Sequence, residues 1–287
     1  MAGDLLDTLA YKKSEFSKGH KKIADYLLDN YDKAAFMTAG KLAKAAEVSE
    51  PTVVRFASAL GYKKYTNFQD ALLKTAHNRM TVVQRMEISK NRIGNTEVLK
   101  KVLLSDMEKI RLPLENIDAE TFGEVVDDII KARRIYILGV RSSSALAEFL
   151  GFYFNLLFDD VRIVGNTNVS AIYEQVFHIG KGDILIAISY PRYSKRTVKA
   201  IKFANSRGAE VVALTDSSMS PLCRYAKYSL FADSDITSIV DSLVAPLSLV
   251  NSLIAAVSIK KEKDLTSVLQ ELEDIWDENE VYDANFQ

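Results

Sequence analysis

The stretch Asp183–Thr197, DILIAISYPRYSKRT, limits the fold of this chain more than any other. Ile184–Ile188 is a run of apolar residues without alternation, the pattern of a strand buried on both faces of a parallel sheet. Ser189-Tyr190-Pro191-Arg192-Tyr193-Ser194 follows, a short turn rich in hydroxyls with one fixed charge. Val198, Ile201, Lys202, Phe203 and Ala204 then carry a helical pattern to Gly208, a C-cap residue. A strand that ends in Ser/Arg and opens a helix gathers backbone N–H groups, hydroxyls and the helix dipole around an anion.

The same alternation governs everything from about residue 116 onward. Strands are predicted at Arg134–Leu138, Val161–Val164, Asp183–Ser189, Glu210–Leu214 and Lys227–Phe231, with helices at 142–157, 168–178, 195–206 and 219–225. This is the signature of an α/β unit with a doubly wound parallel sheet. Ligands of such sheets sit outside the C-terminal strand ends, where the winding reverses. Three strand ends are hydroxyl-rich: Gly139–Ser144, Ser189–Ser194 and Thr215–Ser218. Two of them open helices with serine at or near the N-cap (Ser142 or Ser143, and Ser194), and each carries an arginine (Arg141, Arg192). One serine cap is ordinary. Two such loops at neighbouring strand ends predict an anion site, and a phosphate monoester suits hydroxyls and backbone donors. The arginine fork suits a carboxylate as well, so a sugar acid stays open.

The first 80 residues read as helices throughout. Gly19–Asn30 places Ile23, Tyr26, Leu27 and, beyond it, Tyr31 on one face. In TAGKLAKAAEVSEPTVVRFASALGYKKY, Thr38 can cap a short helix holding Leu42, Ala43 and Ala46. Glu47-Val48 then makes a tight turn, and Ser49 caps a second helix with Pro51 in its first turn, ending at Leu60 before Gly61. Val48, Val53, Phe56 and Leu60 face inward, leaving Glu50, Thr52, Arg55 and Ser58 outward. Two short helices joined by such a turn form the helix-turn-helix pattern. Ser49, Glu50, Thr52 and Arg55 are then candidates for base edges or phosphates, with Thr38 and Lys41 from the first helix and Lys63, Lys64 and Tyr65 for the DNA backbone. A helical bundle packing only against protein is the alternative.

Residues 78–115 read as helical and polar, with Val82, Met86, Val98, Val102 and Met107 as scattered apolar positions. Gly94–Glu97 looks like one helix ending and another being capped, and Pro113 like the end of a linker. Ser242–Ile259 has no charge but holds Pro246, Asn251 and several serines, which favours a buried helix at a subunit interface over a membrane span. Leu243, Leu247, Val250, Ile254 and Val257 share its apolar face, a candidate dimer core.

Charge divides along the chain. Residues 1–80 hold 13 Lys/Arg against 9 Asp/Glu, net +4, and the remainder 24 against 29, net −5. A basic front on an acidic body points to nucleic acid at the N-terminal end. At 48% hydrophobic and 26% charged, the composition excludes a disordered or fibrous chain. A single cysteine, Cys223, and the absence of a signal-peptide pattern point to a reducing, cytoplasmic setting. The histidines His20, His77 and His178 are scattered, Glu148 and Glu174 have no motif around them, and neither a metal-ligand spacing nor a GxSxG or Walker loop occurs, so catalysis, metal and cofactor are not expected.

KLAKAAEVSEPTVVRFASALGYKKYTNF resembles the helix-turn-helix of the RpiR family of bacterial transcriptional regulators, and FSKGHKKIADYLLDN upstream resembles the same family. The body is similar to the sugar isomerase (SIS) domain. The resemblance implies an all-helical DNA-binding domain (1–78), a helical linker (79–115) and an α/β/α SIS domain with a five-stranded parallel sheet (116–287). It further implies double-stranded operator DNA and a phosphosugar or related anion as partners, and a homo-oligomer, dimer or tetramer, away from membranes. The usual glycine–x–glycine–x–serine of the first SIS loop falls on Gly139, Val140, Arg141, Ser142 and Ser143, so the second glycine is arginine here. The usual serine–x–serine–glycine–x–threonine falls on Ser189–Ser194: Ser189 is kept, Ser194 stands for the threonine, and Pro191-Arg192 replaces serine-glycine. With Tyr193 and Thr197, these loops supply the expected ligand contacts. SIS domains also occur in sugar-phosphate isomerases, the alternative class, with the N-terminal helices serving assembly.

Overall fold

The computed structural model describes residues 5–81, 83–87, 96–115, 118–165, 169–234, 241–279 and 281. Two compact units emerge, one of residues up to Thr96 and one from Glu97 to Ser234 and from Asp241 onward.

The first unit is helical: α1 (Leu5–Lys12), α2 (Lys18–Ala34), α3 (Ala39–Ala45), α4 (Glu50–Ala59) and α5 (Tyr65–Arg79). Its core is Leu9, Ile23, Leu27, Leu42, Val53, Phe56, Phe68 and Leu72, all fully buried. The Ser17 hydroxyl caps α2 by accepting the His20 N–H at 3.4 Å. α2 outruns its predicted end, continuing to Ala34 past a non-helical Asn30. Glu47 makes the turn between α3 and α4 with φ +52°, and Gly61 ends the second with φ +93°. Glycine adopts that last angle without the Cβ clash of other residues.

The second unit runs α6 (Val98–Glu115), α7 (Ala119–Lys131), β1 (Arg134–Gly139), α8 (Ser143–Asn155), β2 (Val161–Val164), α9 (Val169–Gln175), β3 (Asp183–Ile188), α10 (Lys195–Ser206), β4 (Glu210–Thr215), β5 (Tyr228–Phe231), α11 (Val244–Lys260) and α12 (Glu262–Glu278). The strands form one sheet of order β2-β1-β3-β4-β5. Every pairing is parallel. β3 is buried along its whole length, as its unbroken apolar run predicts. One face packs on Val125, Ile129, Leu146, Leu150, Val250 and Leu253 of α7, α8 and α11; the other packs on Ile172, Ala200, Ile201 and Ala204 of α9 and α10. The outcome is the expected three-layer α/β/α arrangement.

Each predicted strand lies within a residue of its observed bounds. The predicted helix 219–225 is instead a single 3-10 turn, Pro221–Arg224, capped by the Ser220 hydroxyl on the Leu222 N–H. Of the predicted linker, Val82 and Gly94-Asn95 fall outside the described residues. The part from Val98 is a continuous helix of the second unit, with Pro113 close to its end. The α11 face predicted as a dimer core packs partly on its own sheet: Val250 and Val257 are buried, and Leu243, Leu247 and Ile254 are half-buried against the same core. The periodicity identified an apolar face, and part of that face covers the sheet. Among the described residues no single helix is long and apolar enough to cross a membrane.

Candidate DNA-contact face and anion site

On the first unit, α3 and α4 present the predicted polar face. Thr38 caps α3, its Oγ1 accepting the Lys41 N–H at 3.3 Å, and both residues are exposed. Ser49 stands at the cap position of α4 but its side chain caps no backbone N–H. Its hydroxyl lies 2.8 Å from Thr52 Oγ1, which also accepts from Arg55 Nη2 at 3.3 Å. Ser49, Thr52 and Arg55 are thus tied into one hydrogen-bonded row, with Ser49 and Arg55 exposed and Thr52 half-buried. Exposed Glu50 lies beside α3: a Cβ on Gly40 would stand 3.0 Å from Glu50 Oε2. Lys63 and Lys64 are exposed at the start of α5.

Tyr65 departs from its expected backbone-contact role. Its hydroxyl donates to the Met37 carbonyl at 2.8 Å, and Gln69 Nε2 donates to the same oxygen at 3.0 Å. Burial pushes the Tyr65 phenol up to about 12. The ring is therefore a buttress that fixes the chain entering α3. Sequence reasoning also passed over His20, whose ring meets Phe56 of α4 edge-on with centroids 5.3 Å apart. Burial lowers its pKa, and the Arg55 charge lowers it further.

On the second unit, the winding leaves β1 for β2 on one side and returns to β3 on the other, so the reversal lies between β1 and β3. Gly139 and Ile188 are register partners there, and both predicted loops leave from that point. The first loop is tight: a Cβ on Gly139 would sit 2.3 Å from the Ser143 carbonyl oxygen, so glycine alone fits. Arg141 takes φ +58°, a left-handed conformation. Ser142 occupies the N-cap position of α8, one of the two serines predicted there, but its side chain makes no cap hydrogen bond. It is exposed, with helical backbone angles. Ser143 is buried. Ser144 closes the turn, its hydroxyl donating to the Arg141 carbonyl at 2.7 Å.

In the second loop Ser194 caps α10 as predicted, accepting the N–H groups of Arg196 at 3.2 Å and Thr197 at 3.5 Å. Ser189 is buried and its Oγ accepts the Ser194 N–H at 3.4 Å, bracing the turn from within. Arg192 is exposed with φ +63°. Tyr193 donates to Asp216 Oδ1 at 2.7 Å. Burial raises that phenol's pKa, and the Asp216 charge raises it further. Thr197 is fully buried in the first turn of α10, and its Oγ1 has no hydrogen-bond partner. Buried hydroxyls are rarely left so.

The third hydroxyl-rich strand end joins this network. Thr215 donates to the Ser189 carbonyl at 2.8 Å and lies 2.8 Å from Ser220 Oγ. Thr215 and Ser220 hold the second loop from below. The hydroxyl run at this strand end marked Thr215 in the sequence but not Ser220, and only the β3–β4 pairing shows what Thr215 holds. His178, Glu148 and Glu174 are exposed, and the His178 ring rests against Phe177.

A helix-turn-helix unit joined to a doubly wound unit with two serine loops at its switch point defines a regulator class: a DNA-binding head and an anion-binding body. Residues 3–79 match the helix-turn-helix domain of the rpiR family, and residues 128–256 match the SIS domain. The chain is 31% identical to an HTH-type transcriptional regulator of Haemophilus influenzae across 80% of each chain. Its fold resembles the sugar isomerase domain of an RpiR transcription factor from Sphaerobacter thermophilus, with 28% identity, a TM-score of 0.58, and coverage of 62% of this chain and 99% of that one. It also resembles Vibrio vulnificus NanR solved with ManNAc-6P, with 23% identity, a TM-score of 0.59, and coverage of 95% and 98%. The chain belongs to the rpiR family of helix-turn-helix transcriptional regulators.

Proposed function

We propose that the SIS unit is the sensor of this regulator and that it binds a phosphorylated sugar or related anion, altering the hold of the N-terminal unit on operator DNA. The observation that carries the reading is the second loop at the switch point. There Ser194 fixes the start of α10, the helix dipole faces the crevice, and the Thr197 hydroxyl is buried without a partner. Arg141, Ser142, Ser143, Ser189 and Arg192 complete the ligand side, with Tyr193 setting the loop's position. On the DNA side Ser49, Thr52 and Arg55 read the major groove, with Thr38, Lys41, Glu50, Lys63 and Lys64 around them.

The sensor acts without turnover. Asp216, the carboxylate beside the second loop, is engaged by Tyr193 and Ser217, and His178 is exposed beside Phe177. The DNA-binding domain covers residues 1–78 and the sensor the sheet from 116 onward, in a cytoplasmic protein. Self-association is carried by α6, where Leu99, Leu103, Met107, Ile110 and Leu114 recur at helical spacing and are exposed. This stripe stands beside the half-buried α11 residues Leu243, Leu247 and Ile254 as a candidate dimer surface, and it lies in the last part of the predicted linker.

The test is a gel-shift titration on the DNA upstream of the protein's own gene, repeated with sugar phosphates and sugar acids. A specific shift that one compound alters is expected, and Arg55→Ala should weaken it roughly tenfold or more. Phosphosugar turnover without DNA affinity would hand the protein to the isomerase class.

A further inference from the structure

The two loops at the switch point share a feature that an ordinary phosphate cradle does not need. Arg141 and Arg192 both hold left-handed backbone, φ +58° and +63°. A residue bearing a Cβ is strained there where glycine is not. Glycine would make either turn without that strain, and it would leave backbone N–H groups just as open. What arginine adds at both places is a planar, permanently charged fork on an exposed side chain. The two positions follow Gly139 and Ile188, which pair across neighbouring strands, so both arginines stand in loops at the same C-terminal end of the sheet. Pro191, beside Arg192, contributes neither a hydroxyl nor an N–H to an oxyanion. The second loop has therefore less neutral donor capacity and more fixed charge than a phosphate alone requires.

We infer that the ligand carries a second anionic group besides its phosphate, a carboxylate held by Arg141 and Arg192, and is thus a phosphorylated sugar acid. The inference rests on the sensing reading above. In this assignment the phosphate sits at the α10 N-terminus, with the Thr197 hydroxyl taking up the partner it lacks. The carboxylate lies across the two forks, where a neutral sugar end gains nothing comparable.

Isothermal titration of the full-length protein with glucose 6-phosphate and 6-phosphogluconate tests this, because the two share carbon count and phosphate and differ at the oxidised carbon. Fructose 1,6-bisphosphate supplies the arm in which the second anion is a phosphate. The expected result is 6-phosphogluconate binding roughly tenfold or more tightly than either other compound. In an Arg141→Gly, Arg192→Gly double variant that preference should shrink to within about threefold. The variant should fold, since glycine is the residue these angles favour, and an unchanged or higher melting temperature checks it. Equal affinity for glucose 6-phosphate and 6-phosphogluconate, a preference for the bisphosphate, or a preference that survives the double variant would each overturn the inference while leaving the sensor standing. Binding of none of the three, in a protein that still shifts DNA, would overturn both.

Discussion

Ser49 and Ser194 both precede a helix, one in each unit, and the two hydroxyls do different work. Ser194 spends its oxygen on the N–H groups of Arg196 and Thr197 and so stabilises the start of α10. Ser49 leaves the first turn of α4 uncapped by its side chain and turns outward to Thr52, which Arg55 also reaches. Pro51 lies in that turn, so one N–H that a cap would satisfy is absent. A serine before a helix thus builds structure in one unit and leaves a polar row facing solvent in the other. The row suits the proposed reading of base edges; the cap suits the proposed ligand loop.

The strongest way to break the contrast is to attack the rigid loop itself. Gly139→Ala would drive a Cβ into the Ser143 carbonyl at 2.3 Å and the Ala147 Cβ at 2.9 Å, on backbone that cannot yield without moving α8. The expected cost is about 2–3 kcal/mol, or roughly 5–10 °C in the melting of the second unit by calorimetry. A wild-type melting curve would mean that the first loop is pliable. The paired serine variants sharpen the contrast at smaller amplitude. Ser194→Ala should lose about 1 kcal/mol of stability through the uncapped N–H groups. Ser49→Ala should stay within about 0.5 kcal/mol in denaturant unfolding while weakening operator binding severalfold. Equal destabilisation by both would erase the distinction.

How far the sequence reaches differs between these places for physical reasons. The β3 run and the Ser194 and Thr38 caps are legible because each depends on neighbours a few residues away. So are the helix-turn-helix and its outward row, since period and turn length fix which side chains face out. Tyr65 is different: its hydroxyl bonds a carbonyl 28 residues earlier, and no local pattern announces that. The α11 face was visible as apolar, yet periodicity does not say whether a helix covers its own sheet or another chain. In α6 the leucines are spaced among lysines and glutamates, so the stretch passes for a polar linker until it is seen as one helix. Thr215 was marked by composition and understood only through strand pairing. In the anion site, residue types were readable, whereas the left-handed backbone of the two arginines was not.

The smallest expected effect joins the core of the first unit to its outward row. The His20 ring lies against Phe56, from the helix that also carries the exposed Arg55. Burial and then the Arg55 charge hold its pKa below 6.5 in the folded protein. Neutral His20 therefore favours the folded state. That contribution is complete above the unfolded value near 6.5 and is lost as pH falls through the lower folded value. The first unit should melt at lower temperature at pH 5 than at pH 7, and His20→Asn should remove part of the difference. Arg55→Ala should raise the His20 pKa, read by NMR titration, because one of its two depressing influences is gone while the burial against Phe56 remains. A ring that titrates at its ordinary value with Arg55 present would mean that His20 does not pack on α4, and that α4 is oriented by other contacts.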